Sequence, residues 1–301
     1  MTKIDTLLKM LDRTTLTECV LPLQNNKNFK LFARRDDLIH NEISGNKLRK
    51  LKHNLLLAIN QKIKTIVTFG GAYSNHLLAT ASACQLVGLK CIGIVRGDEL
   101  KCDSNAVLAR CSELGMELKF VSRTDYSTLK KENGIGDLEG ENVLFIPEGG
   151  ANLLGVEGAK EILDGLPAFD IYCVAQGTTT TSIGLLHAIP EHSELWVVPV
   201  LKGFDSVKEI TEIDPTVSNK LNQLRILDEF HCGGYGKSTK ELHEFISNFN
   251  GQNEMKTEFV YTGKALFSLS QLLSENNFTE KRVLFVHTGG LWGIYLDTQK
   301  V

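Results

Sequence analysis

Seven short apolar runs recur along the chain, and each is followed by a stretch with helical periodicity: TIVTF (65–69), CIGIV (91–95), LKFV (118–121), NVLFI (142–146), DIYCVA (170–175), LWVVPV (195–200) and RVLFVH (282–287). Continuous apolar runs alternating with helices predict strands buried on both faces of parallel sheets, because a crossover helix covers each face. The fold class is therefore α/β. Several strands end in turns rich in Gly, Ser, Thr and Asn: GGAYSNH (70–76), PEGGANLLG (147–155), QGTTTTSIG (176–184) and HTGGLWG (287–293). Ligands of open α/β sheets sit beyond the carboxyl ends of strands, where the next helix offers free N–H groups, so these turns are expected to converge on one pocket. The length of 301 residues allows one large domain or two smaller ones.

Composition narrows the functional classes. A 42% hydrophobic, 23% charged chain with a formal net charge of -3 is an ordinary globular composition and argues against a broad nucleic-acid surface. The first segment, MTKIDTLLKMLDRTT, has Asp5, Lys9 and Asp12 among its apolar residues, so it reads neither as a signal h-region nor as a membrane span, and a cytoplasmic location follows by default. Seven scattered cysteines without a CxxC pair read as reduced thiols. The eight histidines show no HxxxH or HExxH spacing, which disfavours a zinc hydrolase, and no metal is expected. No GxGxxG with a following acidic residue appears, which disfavours a nicotinamide oxidoreductase.

The decapeptide GNKLRKLKHN (45–54) concentrates positive charge. On a helix starting near Ser44, a suitable N-cap, Leu48, Leu51 and Leu55 share a stripe with Lys52 at its edge, while Lys47, Arg49 and Lys50 spread over the remainder. One reading is a solvated face. The other is a reactive amine: Lys47 falls in the first turn, where the helix dipole opposes a cation, and desolvation with neighbouring positive charge favours a neutral nucleophile.

RRDDLIHNEISGNKLRKL (34–51) followed by GGAYSNH resembles the pyridoxal-phosphate (PLP) enzymes of the 1-aminocyclopropane-1-carboxylate deaminase and D-cysteine desulfhydrase family, of the tryptophan-synthase-β fold type. The resemblance runs from about Arg34 to Tyr295 through five separated motifs in order. It implies that Lys47 of GNK carries the cofactor covalently. It implies that Ser74 of SNH faces the substrate carboxylate or shuttles a proton, alongside or instead of capping the next helix, and that Asn75 meets the cofactor's phenolic oxygen. Tyr73 and His76 flank them on the substrate side. QGTTTTSIG matches the phosphate cradle, with Gly177, Thr178, Thr179, Thr180 and Thr181 meeting the phosphate at a helix start. VYTGKALF (260–267) makes Tyr261 an acid, base or nucleophile, and HTGG puts Thr288 at the pyridine nitrogen, with Thr262 nearby.

The same resemblance implies two open, twisted, mostly parallel sheets flanked by helices. Residues 1–49 and 153–301 form a larger PLP-binding domain around a smaller inserted domain, 50–152, and the chain forms a homodimer acting on a small amino acid. Neutral Thr262 and Thr288 stand where the deaminases carry Glu and Leu, which favours β-elimination from a small D-amino acid, D-cysteine first, over ring opening of the cyclopropane substrate. Tyr73 replaces a glutamine of both enzymes and bears on which substrate fits. A non-catalytic PLP protein would need the lysine and the cradle but not Ser74 or Tyr261.

Overall fold

The computed structural model describes residues 2–22, 29–132, 142–275, 278 and 280–292, so Tyr295 and Gly293 of the last turn lie outside the described residues. In chain order the main elements are α1 (Lys3–Leu8), β1 (Leu16–Cys19), β2 (Lys30–Arg34), α2 (Asn46–Asn60), β3 (Thr65–Gly70), α3 (Asn75–Val87) and β4 (Lys90–Arg96). They continue with α4 (Ala106–Glu113), β5 (Met116–Val121), α5 (Arg123–Glu132), β6 (Val143–Ile146), α6 (Leu153–Lys160), β7 (Ile171–Gln176), α7 (Thr180–Ala188) and β8 (Glu194–Pro199). The chain ends with α8 (Ser206–Ile213), β9 (Leu224–Ile226), α9 (Lys240–Gln252), α10 (Thr262–Glu275) and β10 (Arg282–Val286).

Two sheets result. One has the order β1-β2-β10-β7-β8-β9 and the other β5-β4-β3-β6. Every pairing is parallel except β1 with β2, so the α/β expectation of two mostly parallel sheets is met. All seven apolar runs are strands, and the central ones are buried on both faces: every residue of β7 is buried, and Val283, Leu284, Phe285 and Val286 of β10 are fully covered. The three strands outside that pattern, β1, β2 and β9, are short and lie at or next to sheet edges, where one face is wetter and the apolar run breaks. No helix among the described residues is long and apolar enough to cross a membrane.

Helix α2 corrects the charged-face reading. Its N-cap is Gly45 at φ 63°, not Ser44, and no side chain caps it. Leu48, Leu51 and Leu55 are fully buried as expected, worth about 1.5–3 kcal/mol each by transfer from water. Arg49 and Lys50, however, are buried too, at 3% and 2% exposure. The reason is long-range pairing: Arg49 grips Asp36 with Nε at 2.6 Å and Nη2 at 2.9 Å, and its Nη1 donates to the Glu161 carbonyl at 3.0 Å. A planar fork on a fully covered carboxylate satisfies both charges where neither alone is tolerable. Lys52 remains at the margin, paired with Glu161 at 2.7 Å.

Candidate active site

Loops from the carboxyl ends of β2, β3, β6, β7 and β10 meet around the start of α2. The closest joint is backbone to backbone. Asn46 N–H donates to the Thr288 carbonyl at 3.3 Å, and a Cβ on Gly45 would fall 1.7 Å from that same oxygen. Only glycine fits there, and its positive φ aims the chain into α2. On the other side, a Cβ on Gly289 would meet Ser44 Oγ at 2.2 Å, and Gly290 N–H donates to Ser44 Oγ at 3.3 Å. Ser44 is thus a clasp between SGNK and HTGG. The Asp36–Arg49 pair braces the approach, since Gly45 N–H donates to the Asp36 carbonyl at 3.1 Å.

From this joint Lys47 Nζ donates to Asn46 Oδ1 at 2.7 Å, and Asn46 Nδ2 donates to Thr181 Oγ1 at 2.7 Å. Burial brings the Lys47 ammonium down to about 8, so a substantial neutral fraction exists near physiological pH. The hydroxyls of Thr179 and Thr180 are buried with no hydrogen-bond partner. Helix α7 begins just after Thr179, without a side-chain cap, and its first internal bond runs from Ile183 N–H to the Thr179 carbonyl at 2.9 Å. The N–H groups of Thr180, Thr181 and Ser182 therefore have no acceptor within the helix. Orphan hydroxyls, first-turn N–H groups and the positive end of a helix dipole suit a phosphate group.

One member of this cradle escaped the sequence reading. Lys50 Nζ donates to Thr178 Oγ1 at 3.2 Å and to the Gly149 carbonyl at 3.3 Å. Burial, then the charge of Lys47, pushes its ammonium well below the usual range, and nearby Glu209 opposes that shift. A bound anion would restore the charge. The periodic pattern of α2 cannot reveal this, because Lys50 becomes interior only once PEGG and QGTTTT close over it.

The turn after β3 divides its labour. Ser74 caps α3, its Oγ accepting from Leu77 N–H at 3.2 Å, while a Cβ on Gly290 would lie 3.1 Å from Asn75 Nδ2, which brings SNH against HTGG. Tyr73 points outward, 67% exposed. His76 is buried: its Nε2 lies 2.8 Å from Thr68 Oγ1, whose own proton goes to the Ile146 carbonyl at 2.7 Å. That assigns Nε2–H to His76 and leaves Nδ1 an unpartnered buried acceptor. Burial, then Lys47 and Lys50, lowers His76 to about 3, so the ring stays neutral.

Tyr261 approaches from the turn just before α10, and a Cβ on Gly177 would lie 3.1 Å from its ring, so the bare turn lets the phenol reach the cradle. Its neighbour is Tyr235, which sequence reasoning missed; the rings meet edge to face at 6.0 Å. Burial raises both hydroxyls, and the neighbouring Tyr235 raises that of Tyr261 further. The glycine cluster around Tyr235 in CGGYG was the available signal. Thr262 is turned elsewhere: its Oγ1 donates to Glu258 Oε1 at 3.1 Å and accepts from Glu258 N–H at 3.1 Å. With its single proton committed, Thr262 is not available to a ring nitrogen, and Thr288 alone is the threonine of that pair seated at the joint.

Residues 12–289 match the family of pyridoxal-phosphate dependent enzymes. A protein of Pyrococcus abyssi that carries the provisional name 1-aminocyclopropane-1-carboxylate deaminase is 30% identical, over 97% of this chain and 96% of its own. The bifunctional D-cysteine desulfhydrase/1-aminocyclopropane-1-carboxylate deaminase of Arabidopsis thaliana mitochondria is 30% identical over 88% of this chain and 73% of its own. A crystal structure described as an ACC deaminase homologue has a TM-score of 0.76 at 24% identity, covering 98% of both chains, and supports the fold. Matched across nearly its whole length, the chain belongs to the pyridoxal-phosphate dependent enzymes, among relatives named for 1-aminocyclopropane-1-carboxylate deaminase and D-cysteine desulfhydrase activity.

Proposed function

We propose that the enzyme eliminates the β-substituent of a small D-amino acid, with D-cysteine the first candidate, giving pyruvate, sulfide and ammonia. The single observation that carries this is the neutral, already committed hydroxyl of Thr262 beside Tyr261. No carboxylate takes the position directly after the tyrosine, and the nearby Glu258 is filled by N–H donors from Val260, Tyr261 and Thr262. A pyridine nitrogen facing the neutral Thr288 hydroxyl would keep no proton, which would suit a reaction whose negative charge leaves with a departing group.

The pocket fits the cofactor on the orphan hydroxyls of Thr179 and Thr180 and on the Lys47 amine at about 8. Lys47 would hold it covalently, the 177–181 turn with Lys50 would hold its phosphate, and Asn75 would face its phenolic oxygen. When bound, pyridoxal phosphate supplies an electron sink for charge developing at the substrate α-carbon. The chain does the rest. Lys47 Nζ, freed once the substrate amine has displaced it from the cofactor and then neutral in part, would take the α-proton; Tyr261, whose hydroxyl keeps its proton at neutral pH, would give that proton to the departing sulfur; Tyr235 would hold the Tyr261 hydroxyl in line. Ser74 sits at the N-terminus of α3, where free N–H groups favour the substrate carboxylate.

The ring-opening deaminase activity is the second reading, supported by the names of the Pyrococcus and Arabidopsis relatives. We place the larger domain at residues 1–49 and 153–301 and the inserted one at 50–152, a division that keeps β3 to β6 together in the inserted domain, with the working assembly a homodimer in the cytoplasm. The test is a panel of D-cysteine, L-cysteine, β-chloro-D-alanine and 1-aminocyclopropane-1-carboxylate, assayed for keto acid and sulfide. A D-amino acid should give the highest kcat/KM. A higher kcat/KM for the cyclopropane substrate than for every β-substituted D-amino acid would overturn the proposal.

A further inference from the structure

The segment that carries Tyr261 holds a second chemistry-bearing residue, Lys264, that the reaction above does not use. It is fully buried, and its Nζ donates to the carbonyls of His231 and Gly234, both at 2.8 Å. Those carbonyls bracket an unusual turn. Cys232, Gly233, Gly234 and Gly236 all have positive φ, at 53°, 90°, 117° and 65°. The turn's own backbone bonds end on the same two oxygens, from Gly234 N–H at 3.0 Å and Lys237 N–H at 3.1 Å. Tyr235 rides on this turn and is 49% exposed, so the turn does much of the work of placing it.

A buried ammonium on carbonyl partners bears a desolvation cost that a methionine of similar length would avoid. What Lys264 adds is its N–H donors, two of which point to the turn. It also stands one helical turn beyond Tyr261, whose own N–H is held by Glu258 Oε1 at 2.8 Å. One helix start thus seats two phenols by two buried charges: Glu258 holds the Tyr261 backbone, and Lys264 holds the turn that presents Tyr235. We infer that Lys264 is a positioning residue, which pins the 231–236 turn so that the Tyr235 hydroxyl meets that of Tyr261. The inference rests on the proposed part of the tyrosine pair in proton transfer.

The experiment is a double-mutant cycle on the cofactor-loaded enzyme, using its best substrate from the panel and comparing Lys264→Met, Tyr235→Phe and the double variant. Lys264→Met should lower kcat by roughly tenfold to a hundredfold, as expected for misplacing a reacting group by about an ångström, with KM nearly unchanged. The double variant should be no slower than Tyr235→Phe alone, because the lysine acts through that tyrosine. Cofactor absorbance should match the wild type in all three. If Lys264→Met does not fold, Lys264→Gln, which keeps a donor for one carbonyl, goes through the same cycle with the same expectation and a smaller loss. Multiplicative losses, or a rise in KM at unchanged kcat, overturn the inference while leaving the tyrosines' role intact. Wild-type turnover in both Tyr235→Phe and Tyr261→Phe would instead overturn the proton-transfer reading, and the inference with it.

Discussion

The floor of the cleft and its mouth are built by different means. At the floor, Asn46, Thr179, Thr180, Thr181 and Thr288 are all buried, and glycines at 45 and 289 let two backbones touch. At the mouth, Tyr73 stands largely in solvent on its turn. Close packing leaves the floor one arrangement, so a changed side chain there disturbs its neighbours at once. The mouth tolerates change, and turns on a rigid scaffold are where substrate choice is set. On the proposed function, holding the cofactor would fall to the floor and the choice of β-substituent to the mouth.

Substitutions that separate the two regions should fall in a definite order. Tyr261, at the seam, should cost most. Tyr261→Phe removes a proton donor and is expected to lower kcat by roughly 10²–10⁴-fold with little change in KM, as for an interaction realised mainly in the transition state. A loss confined to KM would make Tyr261 a binding residue of the mouth. At the floor, Thr181→Val removes a hydroxyl and strands Asn46 Nδ2. Losing a hydrogen bond to a charged partner costs about 1.5–3 kcal/mol, so the PLP dissociation constant should rise by roughly tenfold or more. Unchanged cofactor affinity with a raised substrate KM would assign the 177–181 turn to the substrate carboxylate instead. The smallest effect is expected at the mouth: Tyr73→Gln should leave cofactor affinity and kcat for the best substrate within roughly threefold, while shifting the ranking of kcat/KM across the substrate panel. Loss of cofactor from that variant would break the distinction between the regions.

Much of this was legible in the sequence, for reasons that also explain the gaps. The buried parallel strands announce themselves because both faces demand apolar side chains, so each of the seven runs is a strand, whereas β9 has three residues at an edge and no such demand. The floor residues sit in short motifs with local glycine requirements, which a sequence displays. Side chains whose partners are distant are not displayed. Arg49 and Lys50 look solvated until Asp36 and Thr178 arrive from elsewhere in the chain, and Thr262 looks available until Glu258 folds back upon it. Tyr235 is hidden by the same rule, since a tyrosine between glycines gains meaning only from Tyr261 beside it.

The central claim is that Lys47, and no neighbouring lysine, is the amine that holds the cofactor. With burial lowering its pKa to about 8, capture of added pyridoxal phosphate by the stripped protein should quicken as pH rises through that value, because the neutral amine is the nucleophile. Borohydride reduction of the loaded enzyme followed by peptide mapping is the direct test. The pyridoxyl group is predicted on Lys47 alone, and Lys47→Ala should yield no labelled peptide. Label on Lys50 or Lys52, or label retained in Lys47→Ala, would contradict the account.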